Sequence, residues 1–457
     1  MKTGTDGNLF FVLALVMLLI GMLAGIITGM EYVIPAFLKN YIGFEALRPM
    51  HVSSVLLWIL LGATACIYGG LKILRPGKTS GPAARLQWVL WIIAIAGIFY
   101  SYYNGHFGGR EYWEFNPVWS FPIALAWILL IYNFFRALRG YRNWPVYIWM
   151  WMTGAVFFLF TFIENYLWVF PFFRDRVITD MTIQWKVNGS LVGSWNQILY
   201  GTVFFLMDRM DKTGKTGRSK MAFTMYFLGL FNLMFNWGHH IYTLPGIDYV
   251  RYIGYLVSMT EWIFLVRIIY QWKQSMTQAR QHYHYFPYRF ILAADWWIFL
   301  NMGQAILMSI PALNIITHGT HVTVAHAMGT TIGINTMILM AAGFEMFSGT
   351  CTRFDKGNRM LNISFWTSQV SLLVFWLSLN TAGIIKGVWQ LGDRHVGYAD
   401  MMRSLTPWFI VLLVSGFFLM ISIATPAIIL IRSFIICRIR RPETKTRIRT
   451  AMVFTNK

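Results

Sequence analysis

The sequence predicts an all-α, polytopic membrane protein, and three observations lead to this fold class. The chain has 457 residues, of which 57% are hydrophobic and only 12% are charged, about half the charged fraction of an ordinary soluble domain. Apolar runs of roughly 20 residues recur along the chain, and each is long enough to cross a bilayer. The alternating pattern of a membrane barrel is absent from these runs, so helices are the expected spanning structure.

Twelve transmembrane helices are expected, forming a single domain over residues 1–457. The first apolar run is too long for the hydrophobic region of a signal peptide and has no evident cleavage site, so we interpret it as a helix. Residues 438–457 are expected to form a basic cytoplasmic tail. The predicted helices cover residues 8–30, 50–74, 86–104, 118–139, 145–171, 182–207, 220–244, 249–273, 287–311, 318–350, 362–388 and 405–437.

The net charge of +20 is concentrated in alternate loops and in the tail "RIRRPETKTRIRT". This is the distribution of basic residues found on the cytoplasmic side of membrane proteins. It predicts that both termini are cytoplasmic, and that the basic residues face anionic lipid and not nucleic acid. The basic loops are residues 72–78, 136–142, 209–220, 273–280 and 353–359.

The three cysteines, Cys66, Cys351 and Cys437, are scattered along the chain. Neither a CxxC nor a CxxCH motif occurs. Covalent haem attachment, iron–sulfur ligation and a disulfide framework therefore have no support in the sequence.

Six of the ten histidines fall towards the outer ends of predicted helices, at comparable depth. Ionisable groups inside a bilayer are costly, which makes these histidines functional candidates; the alternative is hydrogen bonding between helices. The stretch "THGTHVTVAHAM", residues 317–328, is the densest group. The remaining histidines, at positions 106, 282, 284 and 395, lie in predicted loops and are expected at the surface. The six candidates are His51, His239, His240, His318, His321 and His326.

Helix geometry separates the two donors at the end of this stretch. Residues two apart on a helix differ by about 200°, so His326 and Met328 point to nearly opposite faces and cannot bind one metal. They could serve two different haems, since both side chains are axial ligands of haem iron. His51 could complete one haem, and His239 with His240 could hold a second metal across from His326.

The motifs "HVSSVLLWILLG", "GGREYWE", "WGHHIY", "SMTEW" and "THGTHVTVAHAM" together resemble the catalytic subunit of the haem–copper oxidase superfamily. Within it, the chain is most similar to the large subunit of the nitric oxide reductases, over essentially its whole length. The resemblance implies that His326 binds the high-spin haem and that His51 binds the low-spin haem. It also implies that His239 and His240 bind a non-haem iron.

Three acidic or basic residues acquire expected roles from the same resemblance. Glu261 matches a glutamate close to the non-haem iron, where it would be a metal ligand or would handle protons. Glu111 matches a glutamate that binds a calcium ion bridging the haem propionates, and Arg110 lies beside it. Glu164, in "TFIENYLWV", is an intramembrane carboxylate for which a proton path and a structural role both remain open.

The chain also departs from the reductase pattern at the metal site. Met328 stands where the reductases have a histidine, and Asn188 replaces the third histidine ligand of the non-haem metal. Val192 and Asn196 replace two glutamates, and position 192 also lacks the tyrosine of many oxygen reductases. Asparagine offers an amide oxygen, a donor that suits iron better than cuprous copper.

The resemblance implies the coupling of two NO molecules to N2O and water. The expected cofactors are two haems, of b type, a non-haem iron and a calcium ion, with Glu261 and Asn188 at the reacting centre. Electrons would pass through the His/Met haem from a separate cytochrome-type small subunit. The expected location is a bacterial or archaeal cytoplasmic membrane, with the haems towards the outer side. Two alternatives stay open: dismutation of NO to N2 and O2, and a haem-bearing binding or electron-transfer protein without turnover.

Overall fold

The computed structural model is a bundle of long helices, as the sequence predicts. Among the described residues, nine helices are long and apolar enough to cross a membrane. Side chains are described except at Asp6, Asn236, His239 and positions 261–263 and 437–454. The described residues are 6–35, 37–242, 244–245, 249, 252–254, 256, 261–347, 354–392 and 396–454.

The first five long helices are α1 (Asp6–Val33), α2 (Phe44–Leu74), α3 (Gly81–Tyr103), α4 (Ser120–Leu138) and α5 (Val146–Glu164). Each forms or contributes most of a candidate membrane span. Their apolar composition explains why they form helices, because only an internally hydrogen-bonded backbone is stable in lipid. The five helices predicted within residues 8–171 are therefore present.

Helix α2 is the most enclosed of these five helices. Every residue from Leu56 to Leu71 is buried, and Trp58 in its centre donates its indole N–H to Thr336 Oγ1 at 3.0 Å. Helix α1 packs against it closely enough that glycine is needed at the contact. A Cβ at Gly21 would lie 3.1 Å from Ser54 Cβ.

A short antiparallel hairpin follows α3. Strands β1 (Phe107–Arg110) and β2 (Trp113–Phe115) pair with Phe107 opposite Phe115. Tyr112 forms the turn in the left-handed region, at φ +70°. The end of the bundle that carries this hairpin is called the hairpin end below, and the opposite end, where the loops 72–78 and 209–220 lie, is called the basic-loop end.

The three predicted helices over 182–207, 220–244 and 249–273 coincide with elements that do not reach the criteria for a membrane span. Before them is the short α6 (Pro171–Arg174). Helix α7 (Val177–Asp211) is long but too polar, α8 (Lys220–Phe235) has 16 residues, and α9 (Glu261–Ser275) has 15. Helix α8 gives way to a 3₁₀ helix, Asn236–Ile241. The predicted number of twelve spans thus exceeds the nine in the described part of the chain.

The predicted helix over 318–350 begins three residues later than expected. After α10 (Gln278–Tyr283), α11 (Tyr285–Ser309) and α12 (Pro311–Thr317), the chain breaks at Gly319, which has φ +72°. Thr320 then caps α13, because its hydroxyl accepts a hydrogen bond from the Val322 N–H at 3.2 Å.

The rest of this span alternates between α and π geometry. Helix α13 (His321–Met328) continues into a π-helix at Gly329–Thr336, then α14 (Met337–Ala342) and a second π-helix at Gly343–Phe347. π-Helical segments inside α-helices occur frequently at functional sites. Nothing in the hydropathy pattern of the sequence indicates them.

Two long helices complete the bundle: α15 (Arg359–Gly392) and α16 (Tyr398–Phe454). The candidate membrane span in α16 covers Tyr398–Ile436, where the described side chains of this helix end. The backbone of the predicted tail, 438–457, continues α16 as far as Phe454, and its side chains lie outside the described residues. Its cytoplasmic position and the single-domain assignment remain predictions.

Candidate haem and metal site

A cavity of about 380 Å³ opens among α7, α11, α13 and the hairpin turn. It brings together residues that are distant in the sequence and that the motifs and their spacing single out. Met328, His51 and Arg110 do not line it. The residues singled out by the sequence that line the cavity are Glu111, Asn188, Val192, Asn196, His240, His318 and His326.

Helix α7 supplies one wall through a stripe of residues spaced three or four apart, which share one helix face. Asn188 and Asn196 lie on this stripe, and the Oδ1 atom of each is buried without a hydrogen-bond partner in the described part of the chain. Gly189 lets the facing 3₁₀ helix approach, because a Cβ there would lie 3.4 Å from His240 Cδ2 and 3.3 Å from Trp237 Cβ. The imidazole of His240 therefore lies directly against α7 at the level of Asn188.

His326 reaches the cavity from α13. Its Nδ1 atom is buried and forms no hydrogen bond of normal geometry, although the ring interacts with the backbone of Asn301 on α11. The two helices meet closely here: a Cβ at Gly329 would lie 2.1 Å from Asn301 Oδ1, and Asn301 Nδ2 donates to Thr330 Oγ1 at 2.8 Å. Because α13 is regular up to Met328, its His326 faces the cavity while Met328 does not, in agreement with the angular argument.

His51 lies outside the cavity, between α2 and α1. Its Nδ1 atom is 2.7 Å from the carbonyl oxygen of Gly21. A carbonyl oxygen can only accept, so Nδ1 carries the proton and Nε2 keeps its lone pair. Histidines that bind metals usually have their second nitrogen fixed in this way. Gly25 allows this arrangement, since a Cβ there would lie 2.6 Å from Nδ1.

Two predicted metal ligands, His239 and Glu261, have side chains outside the described residues, so their roles remain predictions. Their backbones belong to the 3₁₀ helix Asn236–Ile241 and to the first residue of α9. Among the side chains that the structure describes, no group of three or more His, Cys, Asp or Glu residues could hold a metal ion. The described side chains at the cavity that could donate to a metal or haem include His240, His326 and the amide oxygen of Asn188. Glu111, Asn196 and His318 also line it.

The hairpin turn places Glu111 and Tyr112 at the cavity. Burial raises the pKa of the Glu111 carboxyl, Arg48 opposes this rise, and Glu114 adds to it. Arg48 also forms an ion pair with Glu114. A guanidinium group therefore already lies near both carboxylates, and calcium binding by Glu111 remains a prediction.

The side chain of Arg110 does not line the cavity. Its Nη2 atom donates to Asp180 Oδ2 at 2.7 Å, and its guanidinium carbon lies 4.7 Å from the centre of the Trp168 ring. The side chain is thus engaged by the start of α7 and by the segment after α5. The predicted role of Arg110 at a cofactor gains no support from these contacts and stays a prediction.

The other histidines have varied surroundings. His318 makes an edge-on contact with Trp185, with 4.9 Å between ring centres, and both residues line the cavity. His321 lies 5.3 Å from Phe409, and its Nδ1 is buried without a partner. The expectation that His284 is a surface residue was wrong: it is buried, and its Nδ1 atom lies 2.7 Å from Glu345 Oε2.

Several cavity residues were not predicted from the sequence. Trp185, Gln197 and Tyr200 lie on α7, and Thr330 and Thr331 lie on the first π-helix. The spacing of Trp185, Asn188, Val192, Asn196 and Tyr200 could have revealed the α7 stripe. The π-helical residues had no comparable signal, because the register shift follows from packing between helices.

The family described as "Cytochrome C and Quinol oxidase polypeptide I" matches residues 7–418. This match covers most of the chain, with the site residues inside it. The chain therefore belongs to the haem–copper oxidase subunit I family, as the sequence motifs suggested. Members of this family are membrane oxidoreductases that bind haems and a metal centre. The buried Asn188 Oδ1 and His326 Nδ1 atoms, which have no hydrogen-bond partner of normal geometry among the described residues, fit such groups. The ring of His51, held by the Gly21 carbonyl, fits them as well.

Particular relatives have low identity but long coverage. The chain is 21% identical over 445 residues to a nitric oxide reductase subunit of Stutzerimonas stutzeri, covering 91% of each protein. It is 20% identical over 435 residues to cytochrome c oxidase subunit 1 of Rhodobacter capsulatus, covering 87% of this chain and 79% of that protein. A solved haem–copper terminal oxidase dimer has the same fold, with a TM-score of 0.73 at 13% identity, over 94% of this chain and 84% of that one.

Proposed function

We propose that this chain is the catalytic subunit of a nitric oxide reductase-like enzyme. The reaction converts two NO molecules, two electrons and two protons into N2O and water. The motif resemblance and the similarity to a nitric oxide reductase subunit support this choice. The similarity to cytochrome c oxidases makes oxygen reduction the principal competitor.

One observation carries the proposal: the buried Oδ1 of Asn188 has no hydrogen-bond partner among the described residues and lies at the cavity beside His240. An oxygen donor at this position suits iron better than cuprous copper, for which sulfur and imidazole ligands are preferred. Val192, which also lines the cavity, occupies the position of the tyrosine of many oxygen reductases. The donor set thus favours the metal and the chemistry of the reductases.

Separate sets of residues would bind the two haems and the non-haem iron. His326 would hold the high-spin haem, while His51 and Met328 would hold the low-spin haem. His240, Asn188, His239 and Glu261 would hold the non-haem iron. When bound, these groups would supply the electrons and the place where NO reacts.

The protein surroundings would orient the ligands and limit water. The carbonyl of Gly21 fixes the ring of His51, and the close contact of Gly189 keeps His240 beside Asn188. Apolar side chains such as Val192, Leu233 and Ile298 line the cavity, which suits an uncharged diatomic substrate. Glu261 would hold a proton close to the iron.

The proposal also covers the haem type, the electron donor and the membrane location. No haem-attachment motif occurs in the chain, so the haems would be bound non-covalently, and the resemblance to the reductases favours b type. A cytochrome-type small subunit would deliver electrons. The chain would lie in a bacterial or archaeal cytoplasmic membrane with both termini inside, so that the hairpin end faces out.

The decisive experiment is anaerobic gas analysis of the reconstituted holoenzyme with isotopically labelled NO and an electron donor. Labelled N2O supports the reductase. Labelled N2 together with O2 would identify a dismutase, and O2 consumption without NO turnover would identify an oxygen reductase. No turnover with either gas would indicate a binding or electron-transfer protein.

Metal analysis of two Asn188 variants tests the observation on which the proposal depends. The unmodified protein is expected to contain iron in excess of its haem iron, without stoichiometric copper. Asn188→Leu should lose the excess iron, whereas Asn188→His should retain a metal and accept copper more readily. Stoichiometric copper in the unmodified protein would overturn the assignment of iron.

A further inference from the structure

We propose that Asp295 on α11 supplies protons to the cavity from the basic-loop end of the membrane. This inference deepens the proposed function, because it concerns the protons that NO reduction consumes. The carboxyl group of Asp295 has no role in the site described above. Asp295 lies eleven residues into a 25-residue membrane helix, and its buried Oδ1 atom has no hydrogen-bond partner among the described residues.

Two other carboxylates, Glu164 and Glu345, each have a cationic partner in direct contact. Glu164 forms an ion pair with Lys186. Glu345 accepts from Arg209 Nε at 2.8 Å and lies 2.7 Å from His284 Nδ1. One carboxylate oxygen of Glu164 and both oxygens of Glu345 thus have side-chain partners, whereas Asp295 has no such contact among the described residues. Glu164 Oε2 is itself buried without a hydrogen-bond partner there, so a proton path and a structural role both stay open for Glu164.

The position of Asp295 on α11 connects the cavity to the interface with α9. Tyr288, Asp295 and Met302 are spaced seven residues apart, so they lie on one helix face. Met302 lines the cavity. Tyr288 packs on Trp272 of α9, with ring centres 5.6 Å apart. Asp295 therefore lies between the cavity and the α9 contact, towards the basic-loop end.

The facing stripe of α9 runs parallel to this path. Leu265 of α9 lines the cavity, and Trp272, seven residues on, is buried with an indole N–H that has no hydrogen-bond partner among the residues the structure describes. Lys273, in the last turn of α9, is close enough to interact electrostatically with Asp295. A buried acceptor, a buried donor and a terminal cation thus lie along the same interface, and the proposed relay requires water to bridge these polar groups.

The chemistry assigned to Asp295 is a proton relay. The membrane interior disfavours an uncompensated charge, so the protonated carboxylic acid is the resting form. Its O–H proton passes towards the cavity when the reacting centre has received an electron. The carboxylate then takes a proton from water at the basic-loop end, where Lys273 favours the transient negative charge. The acid is regenerated, and one proton has moved for each electron supplied.

Redox-induced infrared difference spectroscopy of the holoenzyme tests this role without requiring turnover. Haem reduction in the unmodified protein should perturb the carbonyl-stretching band of a protonated carboxylic acid. Asp295→Asn should lose this band. Asp355→Asn, which changes a loop carboxylate bonded to the Gly357 N–H, should keep it. Persistence of the full band in Asp295→Asn would overturn the proposal.

Turnover measurements separate a relay from a structural contact. Asp295→Asn should lower NO turnover by about tenfold or more, the range expected for losing a proton-transfer group, while the haem spectra stay unchanged. Asp295→Glu should recover much of that loss because it restores an acid. Unchanged turnover in Asp295→Asn would contradict the relay. If the unmodified protein made no N2O but its band still depended on Asp295, the proposed substrate would fail while the relay stood.

Discussion

Helices α2 and α7 both contribute to the candidate site, yet they differ in almost every property. Helix α2 is apolar and nearly wholly buried over its central turns, and its one functional candidate, His51, lies near its start. Helix α7 is too polar to qualify as a membrane span by hydropathy. It contributes a whole stripe to the cavity, including Asn188, Asn196 and Tyr200.

The difference shows two ways of placing a ligand in a membrane protein. On α2, a single imidazole is fixed by close packing, with glycine in α1 making room for it. On α7, the Oδ1 atoms of Asn188 and Asn196 have no hydrogen-bond partner among the described residues, so these atoms are available to a bound metal or substrate. Single substitutions in each region can show whether the two regions function separately.

His326→Ala is expected to have the largest effect. If His326 is the sole protein ligand of the high-spin haem, the variant should lose that haem and its CO-binding spectrum. The low-spin signal should persist, because His51 lies outside the cavity. Absorption spectra of the reduced protein with and without CO provide the measurement. A normal CO-binding haem in the variant would remove His326 from its assigned role.

Gly25→Ala should produce the opposite loss. The added Cβ would lie 2.6 Å from His51 Nδ1, so the ring must move and its bond to Gly21 must break. Most of the low-spin haem should be lost, while CO binding at the other haem remains. Gly29→Ala on the same helix is the matched control, since its Cβ would meet only Leu413, at 3.6 Å. Equal haem contents in the two variants would contradict the assignment of His51.

Glu261→Gln tests the cavity region at the first residue of α9. Because Val192 and Asn196 replace the usual carboxylates, Glu261 should matter more. We expect NO turnover to fall by more than about tenfold, in line with the loss of an acid–base group. Glu45→Gln, at an exposed position on α2, is the control. Near-normal turnover in Glu261→Gln would assign proton handling to other groups.

Met328→His should have the smallest effect, a change in reduction potential without loss of haem. Thioether ligation raises the potential of a haem relative to two imidazoles. The variant should therefore lose the near-infrared charge-transfer band of a His/Met haem, and its potential should fall by more than about 59 mV, a tenfold change in equilibrium constant. Redox titration and near-infrared magnetic circular dichroism measure both. A bis-histidine spectrum in the unmodified protein, unaffected by Met328→Leu, would separate Met328 from the haem.

The sequence by itself determined the membrane fold and most of the candidate residues. Long apolar runs must become helices because lipid offers the backbone no hydrogen bonds, and histidines within such runs stand out because burying them is costly. The family assignment followed from motifs and is confirmed by the match over residues 7–418. The opposite orientations of His326 and Met328 followed from helical geometry alone.

Only the tertiary structure decided which residues meet. Nothing local in the sequence directs Arg110 to Asp180, or joins Glu345 to Arg209 and His284, since these contacts depend on how separate helices pack. The break at Gly319 and the π-helices after Met328 likewise arise where α13 adjusts to its neighbours. The polarity of α7 weakened its signal as a membrane helix, and the same polarity gives the cavity its donors, because a helix enclosed by other helices can carry groups that lipid would exclude.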